Sequence, residues 1–96
     1  MAERIRVYGA TWCSDTARAR QFLAAHGVAY EWYDVDKSLA ARALVDRTNA
    51  GKSGGTLPTI FFPDGSWLAE PTNAQLAEKL GLPSDGGNKG IDIKVR

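Results

Sequence analysis

One sulfur is the leading candidate for the chemistry this chain can offer. Cys13 is the only cysteine among 96 residues, and it sits in Thr11-Trp12-Cys13-Ser14-Asp15-Thr16 between an apolar strand-like run and a helix-like run. A helix starting beside it would aim unpaired backbone N–H groups and the positive end of the helix dipole at the sulfur, which favours thiolate over thiol. The thiolate is the nucleophile in thiol–disulfide exchange. A lone cysteine is equally at home as a small buried apolar residue, and position alone fits either reading. Far along the chain, Thr56-Leu57-Pro58-Thr59 places a proline where a strand begins, a position that tolerates its missing N–H.

The elements that must position these residues follow from apolar spacing. Ile5, Val7 and Gly9 alternate with Arg4, Arg6 and Tyr8 and predict a short strand ending at a glycine. Ser14 to His26 reads as a helix whose apolar stripe would be Ala17, Phe22, Leu23 and Ala24 or Ala25, with Gly27 as its stop. Val28 to Val35 is rich in β-branched and aromatic residues and predicts a second strand. Ser38 would cap a second helix with Leu39, Ala43, Leu44 and Ala40 on its apolar face, broken by Asn49-Ala50-Gly51 ahead of the glycine-rich loop 51–55. Thr59 to Phe62, a Pro63-Asp64-Gly65-Ser66 turn and Trp67 to Ala69 form a hairpin, and Pro71-Thr72-Asn73 opens a last helix carrying Leu76, Ala77 and Leu80. The order βαβαββα predicts an α/β fold with a mixed four-stranded sheet and helices on both faces.

This is enough for one domain over residues 1–82. Residues 83–96 begin Pro-Ser-Asp-Gly-Gly-Asn and are expected to form a flexible tail, although Ile91 to Val95 alternates like an edge strand. Twelve basic residues balance eleven acidic ones and are scattered, so no nucleic-acid surface is expected. No apolar stretch is long enough for a signal sequence or a membrane span, and a lone cysteine suits a reducing compartment. The chain is therefore expected to be a cytoplasmic monomer without membrane contact. One cysteine and one histidine cannot close a structural zinc site, so no metal is expected.

The cysteine after the first strand, the Thr-Leu-Pro-Thr stretch before the third and the element order together resemble the glutaredoxin family of the thioredoxin fold. The resemblance spans roughly residues 4 to 82 and implies that Pro58 follows a cis bond, with Leu57 offering its backbone to an extended thiol substrate. Trp12-Cys13, Asp64-Gly65-Ser66, Leu68 and Pro71-Thr72 look most like the mycoredoxin branch, whose members work with mycothiol. Glutathione-using members commonly carry a Gly-Gly turn and paired acidic residues where this chain has Asp64 to Asn73. The resemblance thus ranks mycothiol ahead of glutathione as the low-molecular-weight thiol co-substrate, with no tightly bound cofactor.

Where dithiol members read Cys-x-x-Cys, the fourth position here is Thr16, which leaves monothiol chemistry on mixed disulfides between proteins and a small thiol. Ser14-Asp15-Thr16 also departs from the Cys-Gly-Phe-Ser of members that hold iron–sulfur clusters. Asp15 opposes a neighbouring thiolate, while Thr16 could donate its hydroxyl to the sulfur and Arg18 or Arg20 could supply positive charge. The small thiol is expected to meet Thr11, Trp12, Ser14, Leu57, Pro58, Thr72 and Asn73, with Trp12 as a wall of the groove and the last helix start receiving an anionic or polyhydroxylated group. A plain N-cap for Thr72 and core packing for Trp12 are the alternatives. Trp32 and Trp67 read as structural, and His26 lies ~20 Å along the helix from the sulfur, too far to act as its base. The competing function is a thioredoxin-fold thiol-binding or redox-sensing module with weak turnover; an arsenate-reductase-like activity lacks an arginine cluster beside the cysteine.

Overall fold

Alternation along the first strand separates two apolar faces, and the rest of the chain is arranged to cover both. In the computed structural model, which describes residues 4–50 and 56–82, β1 is Ile5–Gly9, α1 Ser14–Ala25, β2 Tyr30–Asp34, α2 Leu39–Thr48, β3 Thr59–Phe61, β4 Trp67–Ala69 and α3 Asn73–Leu80. The sheet order is β2-β1-β3-β4, with β1 and β2 parallel and the other neighbours antiparallel. The expected mixed α/β sheet and element order are observed. The expectations for loop 51–55 and tail 83–96 lie outside the described residues.

Ile5 and Val7 join Ile60 and Phe62 on one face, packed against Ala19, Phe22 and Leu23 of α1 and Leu76 and Ala77 of α3. The opposite face gathers Tyr8, Ala10 and Val35 against Ala41 and Val45 of α2. Tyr8 is buried there, stacked on Tyr33 at 4.6 Å and edge-on to Phe61 at 5.5 Å, so β1 is covered on both sides.

Both long helices differ in part from the expected facing: in α1 Phe22 and Leu23 turn inward as expected and the expected alanines do not, and α2 is rotated further. In α1 the buried residues are Thr16, Ala19, Phe22 and Leu23, while Ala17, Ala24 and Ala25 are exposed. The reason is the approach of α1 to β1: a Cβ on Gly9 would stand 2.6 Å from Thr16 Cγ2, so only small residues fit at that end. In α2, Ala41 and Val45 face the sheet, Leu44 is half-buried, and Leu39, Ala40 and Ala43 are exposed. Leu39 is the first residue of that helix and lies ahead of the buried pair, 89% exposed.

Helix ends follow local chemistry. Ser38 caps α2 by accepting from Ala41 N–H at 3.1 Å, and Thr72 and Gln75 form a reciprocal capping box on α3. Gly81 ends α3 in the left-handed conformation at φ 68°. The hairpin turn is tied to α3 by Lys79, whose ammonium lies 2.7 Å from Asp64 Oδ2.

Leu23→Ala, at a fully buried site, should cost ~2–5 kcal/mol in urea unfolding. Leu39→Ala should stay within about 0.5 kcal/mol of the wild type, as exposed substitutions do. Bonds from Lys79 and then Ser66 hold the Asp64 carboxyl well below the usual carboxylate range. A depressed carboxylate stabilises the fold above its unfolded pKa of ~3.9 and loses that contribution as pH falls toward the folded value. Wild type should therefore exceed Asp64→Asn at neutral pH and lose its advantage progressively below about pH 4.

Candidate active site

Strand pairing brings three distant pieces of chain to one end of the sheet. The antiparallel register Tyr8↔Thr59 sets the end of β1 beside the start of β3, and the parallel register Gly9↔Asp34 sets the ends of β1 and β2 together. The segments that follow or precede those ends, Ala10–Cys13, Asp34–Asp36 and Thr56–Pro58, are thereby neighbours.

Cys13 N–H bonds to Ala10 C=O at 3.1 Å, closing a turn with Thr11 and Trp12 at its corners. Both are exposed, Trp12 to 69%. Cys13 is the N-cap of α1, in extended conformation, and its carbonyl accepts the first helical bond from Ala17 at 3.1 Å. The thiol is half-buried and directed at the Leu57 carbonyl oxygen, 3.9 Å from Sγ. Its side chain makes no capping bond to the helix N–H groups, which differs from the sequence expectation: the sulfur faces Leu57 instead. The Leu57–Pro58 bond is cis, Pro58 is buried and Leu57 half-buried, and both Cys13 and Leu57 pack against the Tyr8 face of the core.

A polar clamp fixes the Thr56–Thr59 segment. Thr59 hydroxyl donates to Thr56 C=O at 2.7 Å, and the buried Asn49 amide donates to Thr59 Oγ1 at 3.1 Å and to Val45 C=O at 2.9 Å. From sequence Asn49 read only as a helix breaker. Its partner Thr59 is ten residues on in the chain, and periodicity carries no signal for such a contact.

The residues expected to tune the thiolate are arranged otherwise. Thr16 does not donate to the sulfur: it is 1% exposed, packed against Gly9, and its hydroxyl has no hydrogen-bond partner. Arg18 does not reach the sulfur either. Its guanidinium lies 3.2 Å from Asp15 Oδ1, 3.1 Å from Asn73 Oδ1 and 3.3 Å from Pro71 C=O, binding the first turn of α1 to the start of α3. Arg20 is committed elsewhere, 3.9 Å over the Trp32 ring and bonded to Tyr30 hydroxyl at 3.1 Å. Ser14 begins α1 and is exposed, while Thr72 is held in its capping box. Trp67 is 39% exposed on β4, and His26 ends α1 with its ring against Phe22 at 4.4 Å.

Sequence reasoning missed Asp36, whose Oδ2 accepts the Trp12 indole N–H at 2.6 Å. The available signal was topological, because the loops that leave parallel strands converge at the strands' carboxyl ends. Among the described residues no group of three or more His, Cys, Asp or Glu could hold a metal ion, and no helix is long and apolar enough to cross a membrane.

Thr16→Val removes an unpartnered buried hydroxyl while keeping the shape, and should leave stability unchanged or raise it by about 1 kcal/mol. Alkylation of Cys13 by iodoacetamide should proceed at the wild-type rate in that variant. A slowing of about tenfold, or ~1.4 kcal/mol in the barrier, would show that Thr16 does act on the sulfur.

Comparison with known proteins gives the same fold and a family. The chain is 33% identical over 76 residues to two proteins of Mycobacterium tuberculosis that carry the glutaredoxin name, Rv3198A of strain H37Rv and MT3292 of strain CDC 1551 / Oshkosh, covering 79% of this chain and 88% of each relative. The crystal structure of the thioredoxin-like protein BC3987 superposes with a TM-score of 0.60 at 32% identity, covering 81% of this chain and 96% of that one. A glutaredoxin (grx-1) from Archaeoglobus fulgidus shares the fold, with a TM-score of 0.64 at 22% identity over 83% of this chain and 87% of that one. The family model for glutaredoxin matches residues 5–67, a span that holds both Cys13 and the Leu57–Pro58 segment, and the chain belongs to the glutaredoxin family.

Proposed function

We propose that this glutaredoxin is a monothiol thiol–disulfide oxidoreductase that removes a low-molecular-weight thiol from protein mixed disulfides. The observation that carries this reading is the placement of Cys13: a half-exposed sulfur at the N-cap of α1, against the backbone of Leu57. The Cys13 thiolate attacks the small-thiol sulfur of the mixed disulfide. A disulfide forms between Cys13 and the small thiol as the sulfur–sulfur bond of the mixed disulfide breaks, and the departing protein thiolate takes a proton from solvent. A second small-thiol thiolate attacks the small-thiol sulfur of that adduct, giving the symmetrical disulfide and returning Cys13. The protein sulfur is reduced to a thiol and one free small thiol is oxidised, pairing in the symmetrical disulfide with the small thiol taken from the protein. With one cysteine in the chain, no internal thiol competes for the adduct.

Once the proton is lost, the sulfur no longer has a hydrogen to donate to Leu57, and the first N–H groups of α1 are the adjacent donors for the anion. Asp15 would repel it, but the Arg18 guanidinium at 3.2 Å offsets that carboxylate. Both side chains are partly exposed, so solvent screens the pair and its effect is modest. Leu57 would offer backbone groups to an extended ligand, and Thr11, Trp12 and Ser14, exposed and flanking Cys13 in the chain, would meet it beside the sulfur. At α3, Thr72 and Asn73 spend their side-chain oxygens on Gln75 N–H and Arg18, so a ligand would meet the earlier first-turn N–H groups, those of Asn73 and Ala74. We rank mycothiol ahead of glutathione, supported by the mycobacterial relatives and by the sequence between Asp64 and Asn73.

A second reading, a thiol-binding or redox-sensing module, is favoured by the Leu57 carbonyl as partner of the sulfur, a contact that only the protonated thiol can make. Incubation with mycothiol disulfide and with glutathione disulfide, followed by mass spectrometry, separates the two. The exchange reading predicts an adduct on wild type but not on Cys13→Ser, larger with mycothiol and released by added thiol. A stable adduct that thiol does not release supports the module, and no adduct with either disulfide rules out both.

A further inference from the structure

Trp12 is 69% exposed, yet its indole N–H donates to Asp36 Oδ2 at 2.6 Å, and Asp36 Oδ1 lies 3.5 Å from the Arg42 guanidinium. Three parts of the chain meet in this array: the turn after β1, the turn after β2 and the first turn of α2. A bond between exposed side chains contributes little to folding stability, because water competes for both partners. Its consequence is geometric. A large ring at the corner of a turn would otherwise sample several rotamers, whereas a carboxylate acceptor, itself held by a helix-borne arginine, selects one.

We propose that Asp36 and Arg42 are positioning residues that hold the Trp12 indole in one orientation as a wall of the small-thiol site at Cys13. The inference rests on the small-thiol site at Cys13 proposed above, which the exchange reading uses. Trp12 immediately precedes the nucleophile, and an aromatic side chain adds contact area to a ligand at lower entropic cost when it is already fixed. Asp36 also has its own N–H bonded to Asp34 Oδ1 at 2.9 Å, which sets the turn that presents it. The Asp36 side chain is thus oriented from both ends: by its own turn and by Arg42.

The test measures the rate of adduct formation at Cys13 with mycothiol disulfide in wild type, Asp36→Ala, Trp12→Phe and the double variant. Trp12→Phe keeps most of the ring but lacks the N–H. Each single variant should slow the reaction about 3–10-fold, and the double should be no slower than the slower single, as for residues acting through one contact. Methyl methanethiosulfonate, too small to need the wall, should react at the wild-type rate throughout, and Asp36→Asn, which keeps an acceptor oxygen, should recover part of the loss. The indole N–H resonance of Trp12, assigned by its absence in Trp12→Phe, should move in Asp36→Ala. Wild-type rate with an unmoved resonance in Asp36→Ala, or additive losses in the double variant, overturns the proposal while leaving exchange intact. A wild-type adduct that added thiol does not release overturns the exchange reading and leaves the positioning role standing where Asp36→Ala still slows its formation. A wild type that forms no adduct overturns both.

Discussion

The antiparallel pairing of β1 with β3 is the constraint on which the site depends. Tyr8 opposite Thr59 fixes the register, and from it follows the meeting of two segments more than forty residues apart: the turn that ends in Cys13 and the cis-proline segment that presents Leu57. A shift of one residue would turn Ile60 and Phe62 out of the α1/α3 core, so the same apolar contacts that stabilise the sheet also hold the sulfur in place. The placement of Cys13 against Leu57 needs no separate scaffold.

On either side of that pairing the chain uses small, specific devices. Gly9 leaves room for Thr16, which lets α1 begin close to the strand and places Cys13 at the helix start. Asn49 and Thr59 clamp the segment before β3, and Arg18 ties the first turn of α1 to the start of α3. Each acts between elements distant in sequence. The cysteine is held between a backbone acceptor and a helix start, and it meets solvent beside an exposed tryptophan that is itself tethered.

Much of this was legible in the residues. Strand and helix order came from period-two and helical spacing, and the glycines after α1 and α3 marked their ends, as Gly27 and Gly81 show with φ of 68°. Ser38 and Thr72 were recognisable caps because their chemistry is local. Helix facing was less legible: in α1 Thr16 is buried and Ala17 exposed, since alanine is apolar enough for either environment and the close approach at Gly9 decides. In the candidate site, Cys13 stood out as the one cysteine and the Leu57–Pro58 segment through the family resemblance, whereas the contacts of Arg18, Asn49 and Asp36 depend on partners that only the folded chain supplies.

On this geometry a thiol carried on Cys13 would lie across the Leu57 segment, where the end of β1 meets the start of β3. Backbone amide shifts recorded before and after forming the Cys13 adduct with a small thiol test it most directly. The largest changes should fall on Trp12 to Thr16 and on Leu57 and Thr59, with the α1/α3 core face unmoved. Changes confined to Cys13 and its immediate neighbours, leaving Leu57 and Thr59 where they were, would contradict it.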